Sequence, residues 1–100
     1  MNEIFDALSH PIRREVLELL KTGGMTAGDL AGHFDVSKPT MSGHFAKLKA
    51  AGLIQGESRH GTITYTVNLS VLEDAVLGFM NRVGVVLPGM AAEPERKEVS

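Results

Sequence analysis

The chain has 100 residues, of which 43% are hydrophobic, and its formal net charge is −2 at pH 7. This length suits one domain with one modest core. Because the chain has no cysteine, disulfides and thiolate sites for metals or redox chemistry are excluded. Its most apolar stretch, residues 75–87, is interrupted by Asn81 and Arg82 and is shorter than the roughly 18 residues of a membrane span. The first residues lack the basic and apolar regions of a signal peptide. We therefore expect a cytoplasmic protein that does not insert into membranes.

The first quarter of the chain predicts two helices. The segment Ser9-His10-Pro11 separates them, and Pro11 suits the first turn of the second, which continues to about Lys21. The predicted apolar residues of the two helices are Ile4, Phe5, Leu8, Ile12, Val16, Leu19 and Leu20. The second helix should direct Arg13, Arg14, Glu15 and Glu18 largely outward.

Residues 26–54 predict two further helices joined by a short turn. After Met25, which suits a very short strand, Thr26 begins the third helix with the pattern T-x-x-D. Residues 35–36 form the turn, and Ser37 caps the fourth helix with Pro39 in its first turn. Two capped helices joined by so few residues cross at a steep angle, as in a helix-turn-helix.

The fourth helix has two contrasting sides. Met41, Phe45 and Leu48 recur at the i, i+4, i+7 spacing of a buried stripe. The outward side carries small, polar and basic residues: Thr40, Ser42, Gly43, Ala46 and Lys47. Such a surface suits a helix that lies in the major groove of DNA.

The second half of the chain predicts a hairpin and a last helix. Residues 54–60 and 63–69 alternate like strands, and Gly61-Thr62 supplies the tip. The second strand is expected to place Ile63, Tyr65, Val67 and Leu69 on one face. A capping box, Ser70-x-x-Glu73, begins the last helix. We therefore predict a mainly α protein with a β-hairpin wing (α+β), a winged helix-turn-helix domain over residues 1–87 and a mobile tail over 88–100.

Charge is distributed unevenly along the chain. Between residues 37 and 62 there are four basic residues and one acid, Glu57, so the local charge is +3 before any histidine is protonated. The four basic residues are Lys38, Lys47, Lys49 and Arg59. Segregation of charge favours a phosphate-facing side, although the negative total charge argues mildly against it.

Three segments together resemble the ArsR/SmtB family of small bacterial repressors, and among these the SdpR-type autorepressors. They are A-L-S-H-P-I-R-R-E-V-L-E-L-L, S-K-P-T-M-S-G-H-F-A-K-L-K-A-A-G-L-I and R-H-G-T-I-T-Y. The resemblance implies DNA contacts from the first two turns of the fourth helix, which here are Lys38, Pro39, Thr40, Ser42, Gly43 and His44. We add Lys47 as a phosphate contact and Arg59, His60 and Thr62 on the wing. Many relatives have His at the position of Gly43, so one contact of the family is missing here.

The last helix carries more apolar surface than one small domain covers. A helix packed only on its own domain needs about a third of its circumference to be apolar. We therefore expect a two-fold homodimer formed by this helix and the first one, as in the resembling family. The predicted interface residues are Phe5, Leu8, Leu72, Val76, Phe79, Met80 and Val83.

We expect neither a metal site nor catalysis. His10, His33, His44 and His60 have no ligand spacing, and the cysteine pair of metal-sensing relatives is absent. Ser42, His44 and Asp35 have no nucleophile elbow around them. The sequence thus predicts a DNA-binding homodimeric repressor, with no cofactor, that occupies a palindromic operator. Two alternatives stay open: a winged helix that contacts only proteins, and a repressor that senses a small organic ligand or a protein inducer.

Overall fold

The computed structural model describes residues 2–84. They form α1 (Asn2–Leu8), α2 (Pro11–Leu19), a 3-10 turn (Leu20–Thr22), β1 (Met25–Thr26), α3 (Ala27–Ala31), α4 (Lys38–Ala50), β2 (Ile54–Arg59), β3 (Thr62–Val67) and α5 (Leu69–Val83). The predicted winged helix-turn-helix is confirmed. The predicted domain end at residue 87 and the tail over 88–100 lie outside the described residues.

A side-chain cap fixes where α2 begins. At His10 the backbone is extended, and its Nδ1 accepts a hydrogen bond from the Ile12 amide at 3.1 Å, while Pro11 occupies the first turn of α2. The cap therefore satisfies one of the first amides of α2 at the point where the chain passes from α1 to α2.

The helix-turn-helix has the two caps that the sequence predicts. The Thr26 hydroxyl accepts from the Asp29 amide at 3.0 Å, and the Ser37 hydroxyl accepts from the Thr40 amide at 3.3 Å. Between the two helices, α3 ends at Ala31 and α4 begins at Lys38. The turn is thus longer than the predicted residues 35–36.

Three antiparallel strands form the wing in the order β1-β3-β2. Arg59 pairs with Thr62, so the hairpin tip is His60-Gly61 and not the predicted Gly61-Thr62. Both tip residues have positive φ, 52° and 79°, which matches the right-handed twist of a two-residue hairpin. The prediction was wrong by one residue because Gly61 occupies the second position of the turn.

The core lies where α2, α3 and α4 meet the sheet. Its fully buried large side chains are Val16, Leu20, Leu30, Met41, Leu48 and Leu53. The Tyr65 ring joins the wing to α4, because it packs on Phe45 with 4.8 Å between ring centroids. On β2, Gly56 lies opposite Tyr65, and a Cβ there would stand 3.0 Å from the tyrosine ring. A side chain at position 56 would displace the ring that connects wing and helix.

Two expectations about β3 and α5 are wrong. α5 begins at Leu69 with Asn68 at its N-cap, and no side-chain hydrogen bond caps it, so Ser70 and Glu73 do not form the predicted capping box. Leu69 is 49% exposed and belongs to the helix, not to the apolar face of β3. The Asn68 amide donates to the Leu53 carbonyl at 2.8 Å, and this long-range bond anchors the chain where strand gives way to helix.

Leu48 provides a test of this packing. It is 0% exposed and belongs to the central apolar cluster, so Leu48→Ala should lower the free energy of unfolding by about 2–5 kcal/mol. Thermal unfolding followed by circular dichroism measures the loss. Lys49→Ala, at the neighbouring exposed position of α4, is the control and should leave the midpoint nearly unchanged. Equal midpoints for the two variants would contradict the packing.

Candidate nucleic-acid interface

One side of α4 is exposed to solvent. Met41, Phe45 and Leu48 are buried, as predicted, which fixes the orientation of the helix. The residues expected on the outward side are all exposed: Lys38, Pro39, Thr40, Ser42, Gly43, Ala46 and Lys47. The amphipathic pattern of the sequence therefore places small and polar side chains on one accessible surface, here called the α4 face.

The hydroxyl groups at the start of α4 form a pair. Besides accepting from the Thr40 amide, the Ser37 hydroxyl donates to the Thr40 hydroxyl oxygen at 2.9 Å. Since Thr40 accepts this bond, its own proton is available for an outside acceptor. The arrangement suits a phosphate or base oxygen, which offers only acceptor sites.

Gly43 leaves the backbone of α4 bare in the middle of the α4 face. A Cβ at this position would meet nothing within 4 Å. Glycine inside a helix costs up to about 1 kcal/mol relative to alanine. Neither packing nor backbone conformation in the described residues requires glycine at this position, so its benefit must come from outside the fold or be absent.

Two of the basic residues predicted to contact DNA already have acidic neighbours. Lys47 Nζ lies 3.0 Å from Asp6 Oδ2, and Arg59 Nε lies 3.4 Å from Glu57 Oε2. Both pairs are more than half exposed, and such surface pairs contribute about 0–1 kcal/mol. A phosphate could therefore replace either carboxylate at little cost.

The wing presents its tip to solvent. Arg59, His60 and Thr62 are exposed and cluster at the end of the β2–β3 hairpin, as the sequence predicts. The strands hold these residues in register because Arg59 and Thr62 face each other across the sheet. A basic residue at such a tip suits the narrow minor groove of DNA.

His44 does not lie on the α4 face. It is 8% exposed, and its Nδ1 lies 3.1 Å from Arg13 Nη1. Arg13, expected to point outward from α2, is also 8% exposed. Burial is the main cause that lowers the pKa of His44, followed by the neighbouring His10 and Arg13. The structure thus removes one residue from the ten predicted DNA contacts and gives it a partner inside the domain.

The sequence did not predict the contacts of three residues in this site. Arg13, Asp6 and Glu57 contact His44, Lys47 and Arg59, respectively, which were predicted to bind DNA. Only Glu57 carried a signal, since it lies two residues before Arg59 in an alternating strand. The contacts of Arg13 and Asp6 with α4 span 31 and 41 residues of sequence, respectively, and no local pattern indicates them.

Residues 2–84 contain neither a metal-binding cluster nor a membrane-spanning helix. In this part of the chain no three His, Asp or Glu side chains are close enough to hold a metal ion. Within the same residues no helix is long and apolar enough to cross a membrane. The absence of a metal response remains a prediction.

Comparison with known proteins decides the family. A helix-turn-helix domain family matches residues 8–57. The transcriptional repressor SdpR of Bacillus subtilis (strain 168) is 46% identical over 85 residues, which cover 82% of this chain and 94% of that protein. The chain belongs to the ArsR/SmtB family. It is a DNA-binding transcriptional regulator of the winged-helix class, and this family consists of regulators and not of enzymes.

Further relatives agree with this assignment. The arsenical resistance operon repressor of Staphylococcus aureus is 33% identical over 76 residues, covering 76% of this chain and 73% of that protein. Among solved structures, an ArsR family transcriptional regulator superposes with a TM-score of 0.77 at 28% identity, covering 83% of this chain and 91% of that one. NolR from Sinorhizobium fredii superposes with a TM-score of 0.65 at 26% identity, with 85% of both chains covered.

Gly43 provides a test of the α4 face. Because its Cβ position is open, Gly43→Ala should raise the free energy of unfolding by up to about 1 kcal/mol. Chemical denaturation measures the gain. Gly52→Ala is the matched control, since Gly52 follows the end of α4 with φ of 76°, and the same substitution there should destabilise. A stability loss for Gly43→Ala would show that the fold does use this glycine.

Proposed function

We propose that the protein is a homodimeric repressor that occupies a palindromic operator. The observation that carries the proposal is the α4 face, a recognition-helix surface that is exposed, polar and basic while the opposite side is buried. In this proposal Lys38, Pro39, Thr40, Ser42 and Gly43 meet the major groove, and Lys47 contacts a phosphate. The wing residues Arg59, His60 and Thr62 meet the backbone or the adjacent minor groove.

The apolar surface of α5 supports the dimer. Among the described residues, large exposed hydrophobic side chains concentrate on this helix: Leu69, Leu77, Phe79 and Val83. Such a concentration is unusual on a small monomer and marks an interaction surface. Phe5 of α1 extends the surface, because its ring meets that of Phe79 edge-on at 5.5 Å between centroids.

The predicted interface residues differ in how available they are. Phe79 and Val83 are 49% and 57% exposed. The half-buried members are Phe5, Leu8, Leu72, Val76 and Met80. Leu8 and Leu72 pack on the core. A partner would therefore press mainly on the C-terminal half of α5, and the other residues would support it from below.

A two-fold pair explains how a short domain reads a specific site. One domain offers a single recognition helix, and two copies would place two such helices on one side of the duplex, about 34 Å or a small multiple apart. Repression follows if bound dimers block access to a promoter. Control of its own gene, a cytoplasmic location, and release by an organic ligand or a protein inducer are further parts of the proposal.

The DNA contacts are tested by a series of alanine substitutions on α4. The probe is a duplex that the wild-type protein selects from a random pool. Lys38→Ala and Lys47→Ala should each weaken binding to all sequences and reduce the slope of log affinity against log salt by about one. Thr40→Ala and Ser42→Ala should instead relax sequence preference in a repeated selection.

Two controls sharpen this series. Lys21→Ala removes the same charge from the 3-10 turn after α2, where Lys21 pairs with Glu18, and should leave the salt slope unchanged. Asp6→Asn removes the carboxylate next to Lys47 and should raise affinity roughly threefold. If no duplex is enriched, or if Lys38→Ala behaves like Lys21→Ala, DNA binding through α4 is refuted.

The dimer is tested at Val83. In the proposed pair Val83→Asp buries an unpaired charge, which should cost several kcal/mol of association free energy. Analytical ultracentrifugation should show a folded monomer whose affinity for the selected duplex is greatly reduced. Asn81→Asp adds the same charge at a neighbouring exposed position of α5, and this control should remain a dimer.

A companion variant covers the second possible contact. Phe79→Asp should also dissociate the dimer, with an added loss of stability because Phe79 packs on Phe5. The arrangement is wrong if the wild type is a monomer at micromolar concentration, or if both variants remain dimers.

A further inference from the structure

A buried cation links three helices directly behind the α4 face. Arg13 Nε donates to the Ala7 carbonyl at 2.8 Å, and Nη2 donates to the Asp6 carbonyl at 3.1 Å. Both carbonyls belong to the last turn of α1, where helix carbonyls lack partners within the helix. The third nitrogen, Nη1, lies 3.1 Å from Nδ1 of His44 on α4. One guanidinium on α2 therefore connects the end of α1 to the middle of the recognition helix.

The geometry determines the protonation state of His44. A guanidinium has only donors, so Nδ1 of His44 must be the acceptor, and the imidazole must be neutral with its proton on Nε2. Protonation would place an N–H donor on Nδ1 against the Arg13 donor and set two cations 3.1 Å apart. The contact then becomes repulsive in a largely buried site.

The charged groups around His44 do not favour a second positive charge. From the α1–α2 connection, the His10 ring lies 4.4 Å from the His44 ring between centroids. From α2, Arg13 makes the contact just described. On α1, Asp6 directs its carboxylate to Lys47, and Glu3 lies with Asp6 beside the exposed part of α4. Burial, His10 and Arg13 all lower the pKa of His44, in that order.

We infer that Arg13 and His44 are positioning residues for DNA binding, which hold α4 at a fixed height against the end of α1 only while His44 is neutral. This inference rests on the proposed function. Apolar packing alone fixes which side of α4 is buried, whereas a directional hydrogen bond also fixes its position along and around the axis. The two neighbours of His44 before it in the chain, Ser42 and Gly43, lie on the α4 face. A shift of His44 would therefore displace the DNA contacts.

The expected effect of His44 protonation on DNA binding has a sign opposite to that of simple charge attraction. Added positive charge on a DNA-binding surface strengthens binding in general, because the phosphates are negative. Protonation of His44 should weaken binding, because it breaks the contact with Arg13. The difference between the wild type and a variant that cannot titrate at position 44 isolates this contribution.

The stability of the folded protein should also depend on pH through His44. The pKa of His44 in the folded protein lies below 6.5, its ordinary value. The unfolded chain therefore takes up the proton first as the pH falls. The contribution of neutral His44 to stability is fully present above about pH 6.5 and decreases as the pH falls through that value towards the folded pKa.

The main experiment compares the wild type with His44→Asn from about pH 7.5 to about pH 5, the interval in which imidazoles titrate. The asparagine Oδ1 can accept the Arg13 hydrogen bond and does not titrate. Affinity for the selected duplex should be similar for the two proteins at the upper pH. The ratio of wild-type to variant affinity should fall severalfold on acidification. A ratio that stays constant would overturn the inference.

Removing the acceptor tests the contact itself. His44→Leu leaves a buried guanidinium donor without a partner and should weaken DNA binding at neutral pH roughly tenfold. Arg13→Lys keeps the charge but not the three-way geometry and should lose a similar factor. If the residues act as a pair, combining the two changes should cost less than the product of the separate effects. Thermal midpoints and dimer content of every variant show whether it remains folded.

One measurement separates failure of this inference from failure of the proposed function. Nitrogen-15 spectra of the histidine rings in the free protein should show His44 as the neutral Nε2–H form at neutral pH, with a pKa below its ordinary value of 6.5. If this is seen but no duplex is ever bound, the proposed function fails while the contact stands. An Nδ1–H form of His44 would refute the contact directly.

Discussion

Burial of one side of α4 is the constraint on which the rest of the structure depends. Met41 and Leu48 enter the core, and Phe45 packs on the Tyr65 ring of the wing. The same contacts that stabilise the domain therefore turn the opposite side of the helix outward and attach the wing to it. Apolar packing is tolerant of small sliding movements, however, since neighbouring hydrophobic side chains lack directional bonds. A surface that reads base edges needs its donors placed more accurately than that.

Directional contacts supply what apolar packing lacks. Arg13 is a buried cation with neutral acceptors, an arrangement that is costly unless the guanidinium donors are hydrogen-bonded. Its three nitrogens find acceptors on α1 and α4. Loss of one acceptor should therefore affect the geometry of several helices together, and not only the local side chain. For this reason His44, predicted from the sequence to contact DNA, is expected to affect DNA binding indirectly, through its position and its charge state.

Local patterns in the sequence predicted the architecture, because helix caps and periodic burial are properties of neighbouring residues. The caps at Thr26 and Ser37 and the apolar stripe of α4 were read directly. Periodicity did not predict that His44 is buried, since a histidine next to Phe45 fits either side of the helix boundary. The partners that decide it, Arg13 and His10, lie more than thirty residues away. The same distance hid the pairing of Lys47 with Asp6. At the hairpin, two positive φ values shifted the tip by one residue, and a histidine in that conformation has no strong sequence signal.

The seven-residue helix α1 connects the two surfaces on which the proposed function depends. A helix this short is unstable by itself, so its position depends on what it touches. On one side Phe5 meets Phe79 in the apolar surface of α5. On the other, the carbonyls of Asp6 and Ala7 receive Arg13, and the Asp6 carboxylate receives Lys47. A partner that contacts Phe5 and Phe79 would therefore also contact α1. This helix is hydrogen-bonded to Arg13, which in turn contacts α4. Association and DNA recognition would then be coupled through α1 without any ligand between them, because both bias the position of the same short element.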